Sequence, residues 1–163
     1  MGEVSVRVQI AAPAEAVYDL VADMPRMGEW SPECERVEWT GGATAPAAGV
    51  GFVGHNRNGR HRWSTHGTIT AADRGSAFTF EVRSLFNLPV SLWSYRFHTT
   101  GSGVCLVTEL TTDRRGALIR AAGRIATGVP NRAARNRETM TATLERLRAA
   151  AEAQAGRQPP ATG

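Results

Sequence analysis

Four side chains in this sequence join acid/base or hydrogen-bonding capacity to apolar surroundings: Asn56, His61, Tyr95 and Glu109. A carboxyl next to a phenol in a dry environment has a raised pKa and can pass a proton, so Glu109 and Tyr95 form the candidate catalytic pair. Whether they meet depends on the turn at Gly101-Ser102-Gly103. A three-residue turn pairs Tyr95 with Glu109 and points the carboxylate inward. A two-residue turn pairs Tyr95 with Thr108 or Leu110 and sends Glu109 outward. The strand Cys105 to Leu110 is apolar on both faces at its start, so periodicity leaves both arrangements open. Arginine is the permanent cation available to a buried Glu109, and Arg137 is the candidate partner. With it, the carboxylate belongs to a structural ion pair; without it, Glu109 is a proton donor.

Other chemistries are excluded by residue type and spacing. All 19 basic residues are arginine, so no mechanism can run through a lysine Schiff base, pyridoxal phosphate chemistry included, and no cofactor is expected. His55 and His66 share one face of a hairpin but lie about four residues apart along it, on the order of 13 Å at the strand rise. His61 faces the other way, and no metal site is expected. There is no GxSxG, and Gly101-Ser102-Gly103 reads as a hairpin turn rather than a phosphate loop. Cys34 and Cys105 have no CxxC or Cys/His spacing and read as reduced, partly buried thiols.

The net charge of +4 and pI near 10.0 raise the question of nucleic acid. The arginines from Arg114 to Arg148 mix with alanines rather than with stacking aromatics, which describes a solvated helix face; nucleic acid is not an expected partner. No run approaches the roughly 20 apolar residues of a membrane span. Met1 to Ile10 sets Glu3 and Arg7 among valines, unlike a signal peptide, and a cytoplasmic location is expected.

The elements that must position these groups follow from periodicity. Val4, Val6, Val8 and Ile10 alternate with polar residues, which makes a half-buried strand. Pro13 opens a helix with an apolar stripe of Ala16, Val17, Leu20 and Val21; a short helical turn then runs to Trp30 and breaks at Ser31-Pro32. Six strands follow: Cys34 to Trp39, Val50 to Arg57, His61 to Ala71, Ala77 to Arg83, Ser91 to Thr99 and Val104 to Thr112, separated by glycine-rich turns. After Gly116 the chain is helical, with a break at Gly128-Val129-Pro130, and a long helix runs from about Asn131 to Gln154. Its stripe of Met140, Leu144, Leu147 and Ala151 needs an apolar partner, and the concave face of a twisted antiparallel sheet supplies one. The fold class is α+β. A domain over 1–155 is followed by a Pro/Gly-rich disordered tail over 156–163.

The Asn58-Gly59 pair suggests a type I′ hairpin in which Arg57 pairs with Arg60, Gly54 with Trp63 and Phe52 with Thr65. One face then carries Phe52, Gly54, Asn56, His61, Trp63, Thr65, Gly67 and Ile69. The other, with His55, Arg57, Arg60, Arg62 and His66, is cationic and must be wet. The same parity turns Phe78, Phe80, Val82, Trp93, Tyr95 and Phe97 inward, and Thr79, Glu81, Ser94, Arg96 and His98 outward. An aromatic-rich face with a few polar tips fits a ligand pocket, although a packed core with those tips at its rim has the same pattern. The ligand-binding set is Phe52, Asn56, His61, Trp63, Thr65, Phe78, Phe80, Trp93, Tyr95 and Phe97 from the sheet, with Met140 and Leu144 from the helix. The apolar loop Leu85 to Val90 either packs under the helix or forms a mouth.

Val8-x-Ile10-Ala11-Ala12-Pro13-Ala14-Glu15-x-Val17-Tyr18, followed by Asp23-Met24-Pro25-Arg26-Met27-Gly28-Glu29-Trp30-Ser31-Pro32, resembles the START-like (SRPBCC) superfamily in its bacterial polyketide cyclase/dehydrase branch. Gly51-x-x-x-Gly54-His55-Asn56-Arg57-x-Gly59, Trp93-x-Tyr95 and the arginine-rich terminal helix with Asn136 and Leu144 are similar too, so the resemblance covers about Val4 to Ala153. It implies a helix-grip fold, a curved sheet wrapped around the last helix over a deep cavity. Members bind lipids, sterols, polyketides and plant hormones, and some are cyclases or aromatases. Two functions are therefore expected as alternatives: binding of a small hydrophobic or aromatic molecule, lipid- or polyketide-like, or a polyketide cyclase, aromatase or dehydratase acting by positioning and general acid/base catalysis. A monomer or homodimer is expected.

Overall fold

In the computed structural model, which describes residues 2–157, seven antiparallel strands form one sheet in the order β1-β7-β6-β5-β4-β3-β2. The strands are β1 (Glu3–Ile10), β2 (Cys34–Trp39), β3 (Gly51–Asn58), β4 (His61–Asp73), β5 (Ala77–Arg83), β6 (Pro89–Gly101) and β7 (Val104–Asp113). Between β1 and β2 come helix α1 (Ala14–Ala22), a 3₁₀ turn (Met24–Arg26) and α2 (Met27–Trp30); after β7 come α3 (Ala117–Thr127) and α4 (Arg132–Ala155). The expected tail lies, from position 158 on, outside the described residues. This is the helix-grip fold.

α4 is held against the sheet by its apolar stripe and by polar ties along its length. Met140, Leu144, Leu147 and Ala151 are all buried, as the stripe requires. Burying a leucine side chain contributes about 1.5–3 kcal/mol, so this seam is a main source of stability. At the start of α4, Glu33 accepts from Arg132 and Arg135, with ion-pair distances of 2.9 Å to each. Arg146 donates to the Trp30 carbonyl at 3.2 Å, and near the C-terminal end Glu152 accepts from the Ala11 amide at 3.0 Å. α1 covers the neighbouring part of the sheet, where Tyr18 meets Phe78 and Phe97 edge-on with ring centroids 6.0 and 5.6 Å apart.

The β3–β4 hairpin departs from the expected register. Asn58 pairs with His61, so the turn is Gly59-Arg60, and Asn56 faces Trp63 while Phe52 faces Gly67. Gly59 has φ 58° and Asn58 does not have positive φ, the pattern of a II′ rather than a I′ turn. The reason is tertiary: the Asn58 amide donates to the Thr127 carbonyl at 3.0 Å, at the end of α3. The pairing slips by two residues, and a slip of two preserves facing. Phe52 and Trp63 therefore remain on the concave side. His55, which contacts Ser64 and Glu38, and Arg62, 3.4 Å from Glu35, remain on the convex side. Ser94, expected in solvent, is buried on that outer side, 3.2 Å from the Thr79 hydroxyl.

The slip changes which glycine makes room for an aromatic ring. A Cβ on Gly67 would overlap the Phe52 ring, whereas one on Gly54 meets nothing closer than 3.5 Å. Gly67→Ala should therefore cost about 1–3 kcal/mol in urea unfolding by overpacking, and Gly54→Ala less than about 1 kcal/mol. The reverse order would restore the Gly54–Trp63 pairing.

Candidate functional site

Between the sheet and α4 lies a cavity of about 480 Å³, within the range of small-molecule sites. Its aromatic wall consists of Phe52, Trp63, Phe80, Trp93 and Tyr95, and its polar groups include Asn56, Thr65 and Glu109; Met140 closes it from α4. Four residues of the expected set stand elsewhere. Phe78 and Phe97 pack under Tyr18, and Leu144 belongs to the solid part of the core. His61 sits at the end of α3, where a Cβ on Gly128 would stand 2.6 Å from its ring.

Tyr95 and Glu109 are cross-strand partners. The connection combines both arrangements left open by the sequence. Gly101 pairs with Val104 around a two-residue Ser102-Gly103 turn, and a bulge between Thr99 and Gly101 supplies the extra residue that turns Glu109 inward. The Tyr95 hydroxyl donates to Glu109 Oε1 at 2.7 Å, with Glu109 only 2% exposed. Burial pushes the Glu109 pKa up to about 8, against the opposing effect of the Tyr95 hydrogen bond. Burial, reinforced by the nearby Glu109 charge, pushes the Tyr95 phenol well above its ordinary value.

Among the described residues, no arginine pairs with Glu109. Arg137 points away and donates to the Ser5 carbonyl at 3.3 Å. Glu109 Oε2 and Thr111 Oγ1 are buried without hydrogen-bond partners, and both residues line the cavity. At neutral pH the carboxyl is largely protonated, so Oε2 is the atom that can present a proton to a cavity occupant. Cys34 also lines the cavity, but burial raises its thiol to about 11, which leaves it unreactive.

The other end of the cavity is bordered by charge and exposed apolar surface. Arg132 is paired with Glu33 and its guanidinium lies over Trp63, 5.6 Å from the ring centroid; burial brings its pKa below the ordinary guanidinium value. Asp113 and Arg115 pair at 2.8 Å. A Cβ on Gly123 would stand 3.2 Å from Arg115 Nη1, so that arginine supports α3 closely. α3 turns Ile119, Gly123 and Thr127 toward the cavity, one turn apart from each other. The Leu85–Val90 loop borders the same opening, with Phe86 86% exposed, and so forms a mouth rather than packing under the helix.

The sequence reading missed Glu33, Thr111, Asp113, Arg115 and Arg132. Thr111 could have been found, because it follows Glu109 by two on β7 and shares its face once that strand is registered. The others come from loops and helix ends, where no period marks an inward side.

The fold recurs in distant proteins. The di-domain ARO/CYC StfQ from the steffimycin biosynthetic pathway superposes with a TM-score of 0.65 at 15% identity, over 94% of this chain and 46% of that one, so the present chain spans about half its length. A Polyketide_cyc-like protein from Corynebacterium glutamicum matches at 0.64 and 23% identity, over 98% and 97% of the two chains. Ginseng major latex-like protein from Panax ginseng matches at 0.66 and 14%, over 92% and 97%. No curated protein sequence matches. The family model described as polyketide cyclase/dehydrase and lipid transport matches residues 1–152, nearly the whole length, and the chain belongs to that family.

Proposed function

We propose that this protein binds a small, mainly apolar molecule in the cavity between sheet and α4, with an oxygen function of that molecule at the Glu109 end. The carrying observation is the pair of unpartnered buried polar atoms, Glu109 Oε2 and Thr111 Oγ1, at the end of an aromatic-walled space of about 480 Å³. Leaving a buried polar group unpaired costs about 1–3 kcal/mol. A carbonyl or hydroxyl on an occupant relieves that cost, and the rings supply contact area. The family description and the ARO/CYC relative are consistent with this class of ligand.

A neutral fluorescent probe, N-phenylnaphthylamine, tests the binding reading, since its emission rises in apolar surroundings. Trp93→Ala should weaken its binding by more than ~1 kcal/mol, the low end for removing a buried aromatic. Unchanged affinity in a folded variant removes the aromatic wall from the account.

A second reading, cyclisation or dehydration by general acid/base catalysis, is favoured by one observation: Glu109 has no cationic partner and is protonated near neutrality. In it, Glu109 Oε2 gives a proton to a developing oxyanion on the substrate, and Tyr95 holds the carboxyl in place. The perturbed ionisation has a consequence for stability. Folded Glu109 keeps its proton up to about 8, while the unfolded chain loses it near ~4.3. Between those values the folded state binds more protons, so stability falls as pH rises, by at most ~1.4 kcal/mol per pH unit. Glu109→Gln should flatten this slope in unfolding curves taken across the window. An identical slope in variant and parent rules out the buried protonated carboxyl and, with it, the acid role.

A further inference from the structure

Beside the cavity mouth lies a second hollow of about 380 Å³, walled by Asp113, Arg115, Arg120, Arg124 and the Val129–Arg132 connection. It shares Asp113, Arg115 and Arg132 with the large cavity, so the two spaces adjoin. Their characters are opposite, one aromatic and one cationic. α3 separates them: Ile119, Gly123 and Thr127 line the apolar space, while Arg120 and Arg124, one turn apart, line the hollow.

The charge in the hollow is only partly balanced. Arg115 is matched by Asp113 through two side-chain hydrogen bonds of 2.9 and 2.8 Å. Arg132 shares Glu33 with Arg135, which leaves that trio cationic. Arg120 and Arg124 have no carboxylate within ion-pair distance among the described residues. Burial acts to raise the Asp113 carboxyl, but hydrogen bonds from Arg115, aided by the Arg115 and Arg120 charges, hold it below the usual value, so Arg120 acts on this same space. The 24-residue α4 begins here and adds the positive end of its dipole. Guanidinium forks match tetrahedral oxyanions, and a phosphate offers enough acceptor oxygens to engage several at once.

We infer that the hollow receives a phosphate-type oxyanion, carried as the head of an amphiphile whose apolar body occupies the adjoining cavity. This rests on the proposed binding function and narrows the ligand class to anionic amphiphiles. An uncharged ligand leaves the Arg120–Arg124 side of α3 without an occupant.

Three probes separate the parts of this inference: dodecyl phosphate, dodecanol and inorganic phosphate, each titrated into the parent protein and into Arg120→Gln/Arg124→Gln. Neither substituted residue lines the large cavity. Dodecyl phosphate should bind the parent about tenfold tighter than dodecanol, or better, as expected for one charge-assisted hydrogen bond. Added salt should shrink the advantage. The double variant should lose it while binding dodecanol as before. Equal affinities in the parent, or an advantage that survives in the variant, overturns the inference. If neither amphiphile binds, the apolar-cavity reading fails, and inorganic phosphate then decides the hollow by itself. A rise in thermal midpoint in the parent alone keeps an oxyanion site that takes free phosphate; no rise, or an equal rise in both proteins, removes it.

Discussion

The cavity exists because the inward stripe of α4 changes character partway along the helix. Leu144, Leu147 and Ala151 fill the concave sheet and leave solid core. One turn earlier the inward residues are Asn136, Thr139, Met140 and Thr143, all of which line the cavity. Threonines are too short to reach the aromatic wall, and the Thr143 hydroxyl is turned back onto the Thr139 carbonyl at 2.8 Å. A helix with leucine at those positions would close the space, and burial of the added methylenes would stabilise the protein. The sheet is the same in either case; the helix decides whether it encloses a core or a site.

That partial filling sets the electrostatics. A carboxyl at the end of a space with aromatic walls and no nearby arginine loses hydration without gaining a counter-charge, so it keeps its proton. The sole hydrogen-bond partner of Glu109 is Tyr95, which secures one oxygen and leaves the other to an occupant. Arginines stand instead around the mouth, on Glu33, on Asp113 and along α3. The site therefore has a neutral, proton-bearing inner end and a cationic outer end. This ordering suits a ligand that enters body first and leaves its charge outside.

Much of the fold was legible in the sequence because strand facing has a period of two. Phe52, Trp63, Phe80, Trp93 and Tyr95 were placed on the cavity side by parity alone, and the two-residue slip of the β3–β4 hairpin left that assignment untouched. The slip itself was not legible. Asn58 looks like a turn residue, and only the folded chain reveals the α3 carbonyl that its side chain serves. Nor does periodicity reveal a bulge, so the facing of Glu109 stayed undecided until the extra residue near Thr99 was seen. Phe78, Phe97 and Leu144 show a further limit. Parity gives the face of a sheet or helix, but how far along that face the packing stops depends on where α1 and α4 come to lie.

The central claim is that Glu109 is a buried, uncharged acid facing the space where a ligand sits. Carbon NMR titration of the Glu109 carboxyl in glutamate-labelled protein, with and without bound N-phenylnaphthylamine, tests it most directly. The account expects a midpoint near 8 in the free protein and a further rise when the probe displaces water from the cavity. A midpoint near the ordinary ~4.3 of glutamate, unmoved by the probe, contradicts it.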